Sequence, residues 1–357
     1  MNNLFKIIVL ALIITITMGV TANAAEKKVR LKLATTWGPT LEPFSSAVRE
    51  FADTVEKMSG GTLTIRVDYA NKHKAPFGVF DMVKLGQYDM AHSASYYWKG
   101  KDTAFLPLTS MPFGLTAVET YAWFYYGGGM DLANKAYNPH NMYFFPGGNT
   151  GVQMGGWFRK EINTLDDFKG LKMRIPGFAG EIMAKLGLNV TNIAPGELYT
   201  SLERGTIDAL EWVGPGMDFK MGFHKIAPYY YTGWHEPGSE MQFLMNQKKF
   251  DSLSEAHQEI LRVAMRTTAY DLFTKNYALS ANAWETMLKE NPNIKVKTFS
   301  KPIMDAMKGA NAELLTKMKA ANPLFKEILE SQEKFQQKAR KWTEMSEYLY
   351  VKDNLVE

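Results

Sequence analysis

Arg174 and Glu211 are the two ionic residues in this chain that a sheet would aim into a crevice. Arg174 lies in Lys172-Met173-Arg174-Ile175-Pro176, and Glu211 ends Thr206-Ile207-Asp208-Ala209-Leu210-Glu211-Trp212. Both segments read as strands. In the second, Ile207, Ala209 and Glu211 alternate with Asp208, Leu210 and Trp212, so the carboxylate and the indole leave the sheet together. In open α/β sheets the carboxyl ends of strands border the ligand crevice. A guanidinium on one end and a carboxylate on another suit a small anion held beside a cation. A structural Arg–Glu ion pair fits the same two residues.

The elements that position this pair can be read outward from it. Residues 178–186 carry Phe178, Ile182, Met183 and Leu186 on one helical face, and Gly187 suits the left-handed turn that closes it. Residues 197–204 form a second helix ending at Gly205, so 170–212 reads strand, helix, strand, helix, strand. The same order appears earlier. Residues 29–35 alternate as a strand, Pro43 precedes a helix with Phe44, Ala47, Val48, Phe51, Val55 and Met58 on one stripe, and Ser59-Gly60-Gly61 closes it. Residues 62–69, 78–85 and 88–94 then read strand, helix, strand. Right-handed crossovers predict two parallel sheets with their carboxyl edges towards a shared cleft.

The expected architecture is α/β, two lobes with a long strut helix spanning both. Residues 26–150 are assigned to lobe I and 151–238 to lobe II, and 239–357 to a return to lobe I with the strut and C-terminal helices. Gly147-Gly148-Asn149-Thr150-Gly151 is one candidate hinge crossing and 228–237 the other. Residues 254–290 read as one helix of about 55 Å at about 1.5 Å per residue, stopped by Asn291-Pro292. Residues 297–299 read as a last strand, and 302–321 and 323–348 as helices. The final helix has a thin apolar stripe suited to packing on the body or reaching a second subunit.

Lys6, an apolar run over 7–16 and Ala22-Asn23-Ala24 form a secretory signal peptide pattern over residues 1–25, which points to the periplasm. The chain has no cysteine, which removes a lipoprotein anchor and a disulfide framework. The formal net charge is +4 and falls to +3 without Lys6, the one charged residue in 1–25. This balance, with no basic arm or acidic tail, argues against nucleic acid as a partner. There is no Gly-x-Ser-x-Gly elbow, phosphate-binding glycine loop or His-Glu-x-x-His. The six histidines show no paired ligand spacing, so zinc is not expected. His235, beside Glu236, is the one histidine placed near the cleft, with a surface or structural role preferred for it.

The run Gly170-Leu171-Lys172-Met173-Arg174-Ile175-Pro176-Gly177, followed by Pro195-Gly196-Glu197-Leu198-Tyr199, Gly205-Thr206-Ile207-Asp208-Ala209 and Glu211-Trp212, resembles the signature of substrate-binding subunits of tripartite ATP-independent periplasmic (TRAP) transporters, DctP type. The likeness extends over nearly all of the chain and implies the fold class α/β, a two-lobe periplasmic binding protein of type II-like form with a long strut helix spanning both lobes. Gln153, Glu211-Trp212 and His235-Glu236-Pro237-Gly238 are similar to the branch that binds 2-oxo acids with a metal ion. The resemblance implies capture of a 2-oxo or 2-hydroxy monocarboxylate such as pyruvate, 2-oxobutyrate or lactate, and no enzymatic turnover. It implies Arg174 on the carboxylate, with Gln153, Trp212, Asn149 and Tyr97 also at the solute and Phe113 walling its tail; Tyr96 is the alternative inward tyrosine. The Gln153 side-chain oxygen, Glu211, Glu236 and the Trp212 carbonyl would ligate an ion. Oxygen donors suit a hard ion, sodium with calcium as the alternative. Membrane permease subunits are the implied partners, with a homodimer through the C-terminal helix. An exported metal-assisted hydrolase or lyase, and a ligand sensor for a membrane kinase, are the competing readings.

Overall fold

The computed structural model describes residues 28–354, so the signal peptide expected over 1–25 lies outside the described residues. β1 (Val29–Thr35) runs parallel to β2 (Leu63–Asp68) on one side and β3 (Met90–Ser93) on the other. Between β1 and β2, α1 (Phe44–Met58) buries Phe44, Ala47, Val48, Phe51 and Val55 along the stripe that their spacing demands. After α2 (Ala117–Tyr126), β4 (Met142–Asn149) leads out of this lobe. The second lobe comprises β5 (Gly156–Phe158), β6 (Lys172–Arg174), α3 (Gly177–Lys185), β7 (Asn189–Thr191), α4 (Leu198–Glu203), β8 (Ala209–Leu210), α5 (Pro215–Met221) and β9 (Tyr229–Tyr231). Then follow β10 (Glu240–Asn246), α6 (Glu255–Glu290), β11 (Lys295–Lys297), α7 (Lys301–Ala321) and α8 (Pro323–Thr343).

The sheets have the orders β2-β1-β3-β10-β4 and β7-β6-β8-β5-β9-β11, one plan used twice with β11 added to the second. They are not the fully parallel sheets expected from right-handed crossovers. β10 is antiparallel to β3 and β4, and β5 to β8 and β9. The reason is geometric. β4 and β9 carry the chain out of their sheets at the carboxyl edge, which faces the other lobe. The strand that receives the chain enters across that edge and runs away from it.

The C-terminal third also departs from expectation. The last strand lies at 295–297 and pairs in parallel with β9, and α7 packs on α3, so the chain after residue 238 does not all return to the first lobe. The strut forms as expected. α6 has 36 residues, its first turn is capped by Ser254 Oγ accepting from His257 N at 3.2 Å, and it lies against α1 and β4 of one lobe and α5 of the other. It also touches the crossing, where Asn276 Nδ2 donates to Thr150 O at 2.7 Å. Gly148, at φ 149°, leaves room for Leu272 of the strut; a Cβ there would lie 1.9 Å from Leu272 Cδ2. α8 buries Phe325, Ile328 and Leu329 on the first lobe, and Gln332, Gln336 and Arg340 donate to the carbonyls of Pro107, Phe113 and Gly114. The thin stripe is thus sufficient for packing on the body.

His92 ties the sheet of the first lobe to its crossing strand. Trp37 Nε1 donates to His92 Nδ1 at 2.7 Å, which places the ring proton on Nε2, donating to Gly147 O at 3.0 Å. Burial pushes this imidazole down to about 4 against the Gly147 bond. A group depressed below its unfolded value near 6.5 contributes stability in full above that pH. The contribution is lost as pH falls through the folded value. Replacing His92 by Gln should remove this dependence. The stability gap between wild type and His92→Gln, measured by urea unfolding, should narrow on the order of 3 kcal/mol between pH 7 and pH 4. A constant gap refutes the assignment.

Candidate functional site

β6 and β8 are adjacent and parallel, with Arg174 opposite Leu210, and the next residue, Glu211, donates its backbone N–H to Arg174 O at 3.0 Å. The two ionic residues therefore stand side by side at the carboxyl ends of neighbouring strands, as the alternation predicts. Arg174 Nη1 donates to Glu211 O at 2.6 Å and to Glu211 Oε2 at 3.2 Å, and its Nε donates to Ile193 O at 3.4 Å. The ion pair is real, and it is incomplete. Arg174 Nη2 and Glu211 Oε1 are both buried and have no hydrogen-bond partner. A buried donor left unpaired costs about 1–3 kcal/mol and more when charged, so these atoms mark a place for a ligand.

The crossings complete the site. Gln153 N donates to Glu236 O at 2.9 Å, so the outgoing and returning segments run together. Gly233 permits the approach, since a Cβ there would lie 1.9 Å from Gln153 O. Gln153 and Glu236 are thereby brought beside Glu211 and Trp212. The Gln153 Oε1 atom is buried and unpartnered, while its Nε2 donates to Thr150 Oγ1 at 3.0 Å. Glu236 accepts from Ser239 Oγ. Glu211, His235 and Glu236 each place one possible ligand atom within 4.8 Å of the others. Trp212 is stacked below the guanidinium at 5.5 Å and meets Phe44 of the opposite lobe edge-on at 6.2 Å.

Burial dominates the electrostatics. It pushes the Glu211 carboxyl up to about 8, with Arg174 opposing and Asp218 adding. Burial, followed by Glu211, pushes Glu236 up to about 7. His235 is pushed down to about 4 by burial, with Glu236 opposing. Two acids crowd one guanidinium, a demand that a cation would relieve by favouring both ionised forms. The donor set fits a hard ion: two carboxylates with ligand oxygens within 4.8 Å of each other and an unpartnered amide oxygen on Gln153.

The other expected residues divide. Tyr97 is half-buried against Tyr96 and Phe77, with ring centroids at 4.7 and 4.6 Å, and Arg174 opposes the rise that burial causes in its hydroxyl. Tyr96 is more deeply buried, and Glu236 and Glu211 raise it further after burial itself, so both tyrosines face the site. Asn149 is at the hinge, and its amide is engaged: Nδ2 donates to Glu240 Oε2 at 3.2 Å and Oδ1 accepts from Gly151 N at 2.9 Å. Phe113 packs on Trp234 at 6.0 Å. His235 is fully buried, so a surface role for it is excluded.

Asp218 escaped the sequence reading. Its Oδ1 accepts from Val213 N at 3.0 Å and Gly214 N at 2.9 Å, and its Oδ2 from Trp157 Nε1 at 3.0 Å and Tyr230 OH at 2.9 Å. It anchors the loop that carries Glu211 and Trp212. The legible signal was an acid in the first turn of a helix opened by Pro215.

A cavity of about 240 Å³ adjoins the strand end of Arg174, lined from one lobe by Tyr96, Tyr97 and Lys99 and from the other by Ile175, Thr191 and Asn192. Lys99 pairs with Glu181 across it and donates to Gly177 O at 3.4 Å. A larger cavity of about 580 Å³ lies against the strut, lined by Val118, Pro215, Phe273, Tyr277 and Trp284. The first is the one beside the ionic pair in the chain, since Ile175, the residue after Arg174, lines it.

The family model for bacterial extracellular solute-binding protein, family 7 (DctP), matches residues 33–322. A monocarboxylate 2-oxoacid-binding periplasmic protein from Nostoc is 37% identical over 329 residues, covering 92% of this chain and 90% of the relative. A TRAP periplasmic solute-binding protein from Colwellia psychrerythraea, solved with calcium and pyruvate, is 55% identical at TM-score 0.90, covering 92% of this chain and all of that one (100%). One from Pseudoalteromonas atlantica, solved with sodium and pyruvate, is 55% identical at TM-score 0.91 and covers 93% of this chain and 100% of its own. A TRAP transporter solute-binding protein from Bordetella bronchiseptica, a mixed-occupancy dimer with calcium and picolinate at one site and the other apo, is 34% identical at TM-score 0.88, with 91% and 97% covered. With the family model spanning most of the chain and these relatives matching its two-lobe fold end to end, the chain belongs to the DctP family of TRAP solute-binding proteins.

Proposed function

We propose that this protein captures a small 2-oxo or 2-hydroxy monocarboxylate, of the size of pyruvate, 2-oxobutyrate or lactate, in the periplasm and presents it to TRAP membrane permease subunits. The observation that carries this reading is that buried polar atoms are left without partners on Arg174 (Nη2), Glu211 (Oε1) and Gln153 (Oε1). The planar guanidinium is always charged, and its unpartnered Nη2 offers two N–H donors to a carboxylate. Strand β6 and the Glu211 contacts fix its orientation before any solute arrives. Tyr97 and Tyr96 approach from the other lobe, and Trp212 meets Phe44, so closure surrounds the acid and excludes water.

Glu211, Glu236, the Gln153 oxygen and the Trp212 carbonyl are the residues that would hold sodium or calcium. A bound cation would supply a second positive pole, chelated by the carboxylate and the neighbouring 2-oxygen of the acid. That disfavours simple fatty acids, which lack the second oxygen. The proposed role is capture without turnover.

A homodimer belongs to the same reading. The helix beyond Arg340 presents Trp342, Met345, Tyr348 and Tyr350 to solvent. A groove of about 370 Å³ between α2 and the strut is lined by Val118, Tyr121, Tyr125, Tyr270 and Phe273. The tail of one copy has the apolar face that the groove of another lacks, and a related chain is a dimer.

Three outcomes are expected. Arg174→Ala should lower pyruvate affinity at least a hundredfold by calorimetry, since two charge-assisted hydrogen bonds contribute about 1.5–3 kcal/mol each; wild-type affinity in a folded variant rules the role out. Dialysis against a chelator in sodium-free buffer should weaken pyruvate binding. Sodium or calcium should restore it in wild type and not in Glu211→Gln, and ion-independent binding refutes the chelate. Light scattering should give a dimer that Trp342→Glu with Met345→Glu converts to monomer without loss of pyruvate binding.

A further inference from the structure

Lys99 is a charged residue that the reading above does not use, and it joins the two lobes. It follows the turn Ser95–Trp98, which comes after β3 in the first lobe, while its partners are on α3 in the second. The ammonium pairs with the Glu181 carboxylate and donates to Gly177 O at 3.4 Å. The Tyr96 ring lies against the same glycine, where a Cβ would stand 3.4 Å from Tyr96 Cδ1 and φ is +67°. A side chain would be strained at that φ, so glycine suits the approach of ring to helix.

Sheet order fixes where this contact stands relative to the hinge. The crossings join the second sheet at β5 and β9, and α3 connects β6 to β7. In the order β7-β6-β8-β5-β9-β11, β7 is a free edge three strands from β5. At about 4.8 Å per strand, that edge is about 14 Å from the crossing strand. The cavity of about 240 Å³ lies at this edge, lined by Tyr97 and Lys99 from one lobe and by Ile175, Val190 and Thr191 from the other. Arg174, on β6, stands between the crossings and the edge. A rotation about the crossings therefore has its lever arm here and separates Lys99 from α3. The Lys99 and Glu181 side chains are 37% and 43% exposed, so each is readily hydrated once the lobes part. Their pairing stabilises the closed form alone.

We propose that Lys99 and Glu181 form a latch at the edge of the cleft far from the crossings, made as the lobes close on the acid, and that this latch sets how long the acid is held. This rests on the solute-capture reading and deepens it: Arg174 grips the acid, and Lys99 governs its release. A contact present only in the closed form slows release, because release requires opening.

The test is stopped-flow tryptophan fluorescence on the calcium-loaded protein with pyruvate as probe, koff being the intercept of the observed rate against pyruvate concentration. Lys99→Met and Glu181→Gln are each expected to raise koff roughly threefold. Because both remove one contact, the double variant should rise no further than Lys99→Met alone. Lys99→Glu should raise koff roughly tenfold through like charge, and adding Glu181→Lys should bring it back to within about threefold of wild type. Unchanged koff in the single variants, multiplied effects in the double variant, or no rescue by the exchanged pair overturns the latch while leaving solute capture standing. Absence of pyruvate binding by the wild-type protein in calorimetry overturns both.

Discussion

A guanidinium held in a dry place with one of its nitrogens unpaired is the constraint on which the molecule depends. Arg174 is buried together with Glu211 and Glu236, so the cluster carries one fixed positive charge against two acids. Taking such charges out of water is costly, and their mutual attraction repays it only when the remaining donors and acceptors are satisfied. Here they are not, and burial drives both carboxyls towards their neutral forms. The remaining requirement is for an anion on the guanidinium and a cation among the oxygens. On the proposed function the cation offsets the two acids and the anion takes the free guanidinium nitrogen, so an acid and an ion suit the cluster as a pair.

The path of the chain makes this cluster possible. Arg174 and Glu211 come from the ends of adjacent parallel strands, but Gln153 and Glu236 come from crossings that lie far apart in sequence. Because β4 and β9 both exit at carboxyl edges, the crossings must pass between the lobes side by side, and Gln153 N bonds to Glu236 O there. Glu240 reinforces the arrangement by accepting from Gly147 N at 3.0 Å and Gly148 N at 3.4 Å. The hinge and two of the proposed ion ligands are thus one structure. The strut covers it from behind through Leu272 and Asn276.

Much of this was legible in residue order. Alternation placed Arg174 and Glu211 at strand ends, and helical periodicity with Ser254 and Asn291-Pro292 bounded the strut to within a residue. Strand direction at the crossings was not legible, because it depends on which edge of a sheet the chain leaves. The last strand was read at 297–299 and lies at 295–297, and three residues carry no signal of which sheet they will join. Asn149 and His235 show the limit at side-chain level. Asn149 follows glycines in a crossing, which suggests a free donor, yet Glu240, 91 residues on, takes its amide. His235 is polar and flanked by Trp234 and Glu236, and only the paired crossings enclose it.

The energetics of closure start from the contacts between the facing lobe edges. Lys99–Glu181 is half-exposed on both sides, and such pairs contribute about 0–1 kcal/mol. The Trp212–Phe44 edge contact adds about 0.5–1.5 kcal/mol beyond area. Moving a two-state equilibrium from 1:99 to 99:1 takes about 5.5 kcal/mol of differential binding. Two charge-assisted bonds to Arg174, at about 1.5–3 kcal/mol each, reach much of that, and coordination by residues on the crossings adds to it. On the proposed function the ligand thus adds to the preference for the closed form that the lobe contacts begin. A stronger intrinsic attraction between the lobes would close the protein without its solute, and a permease could then no longer tell a loaded protein from an empty one.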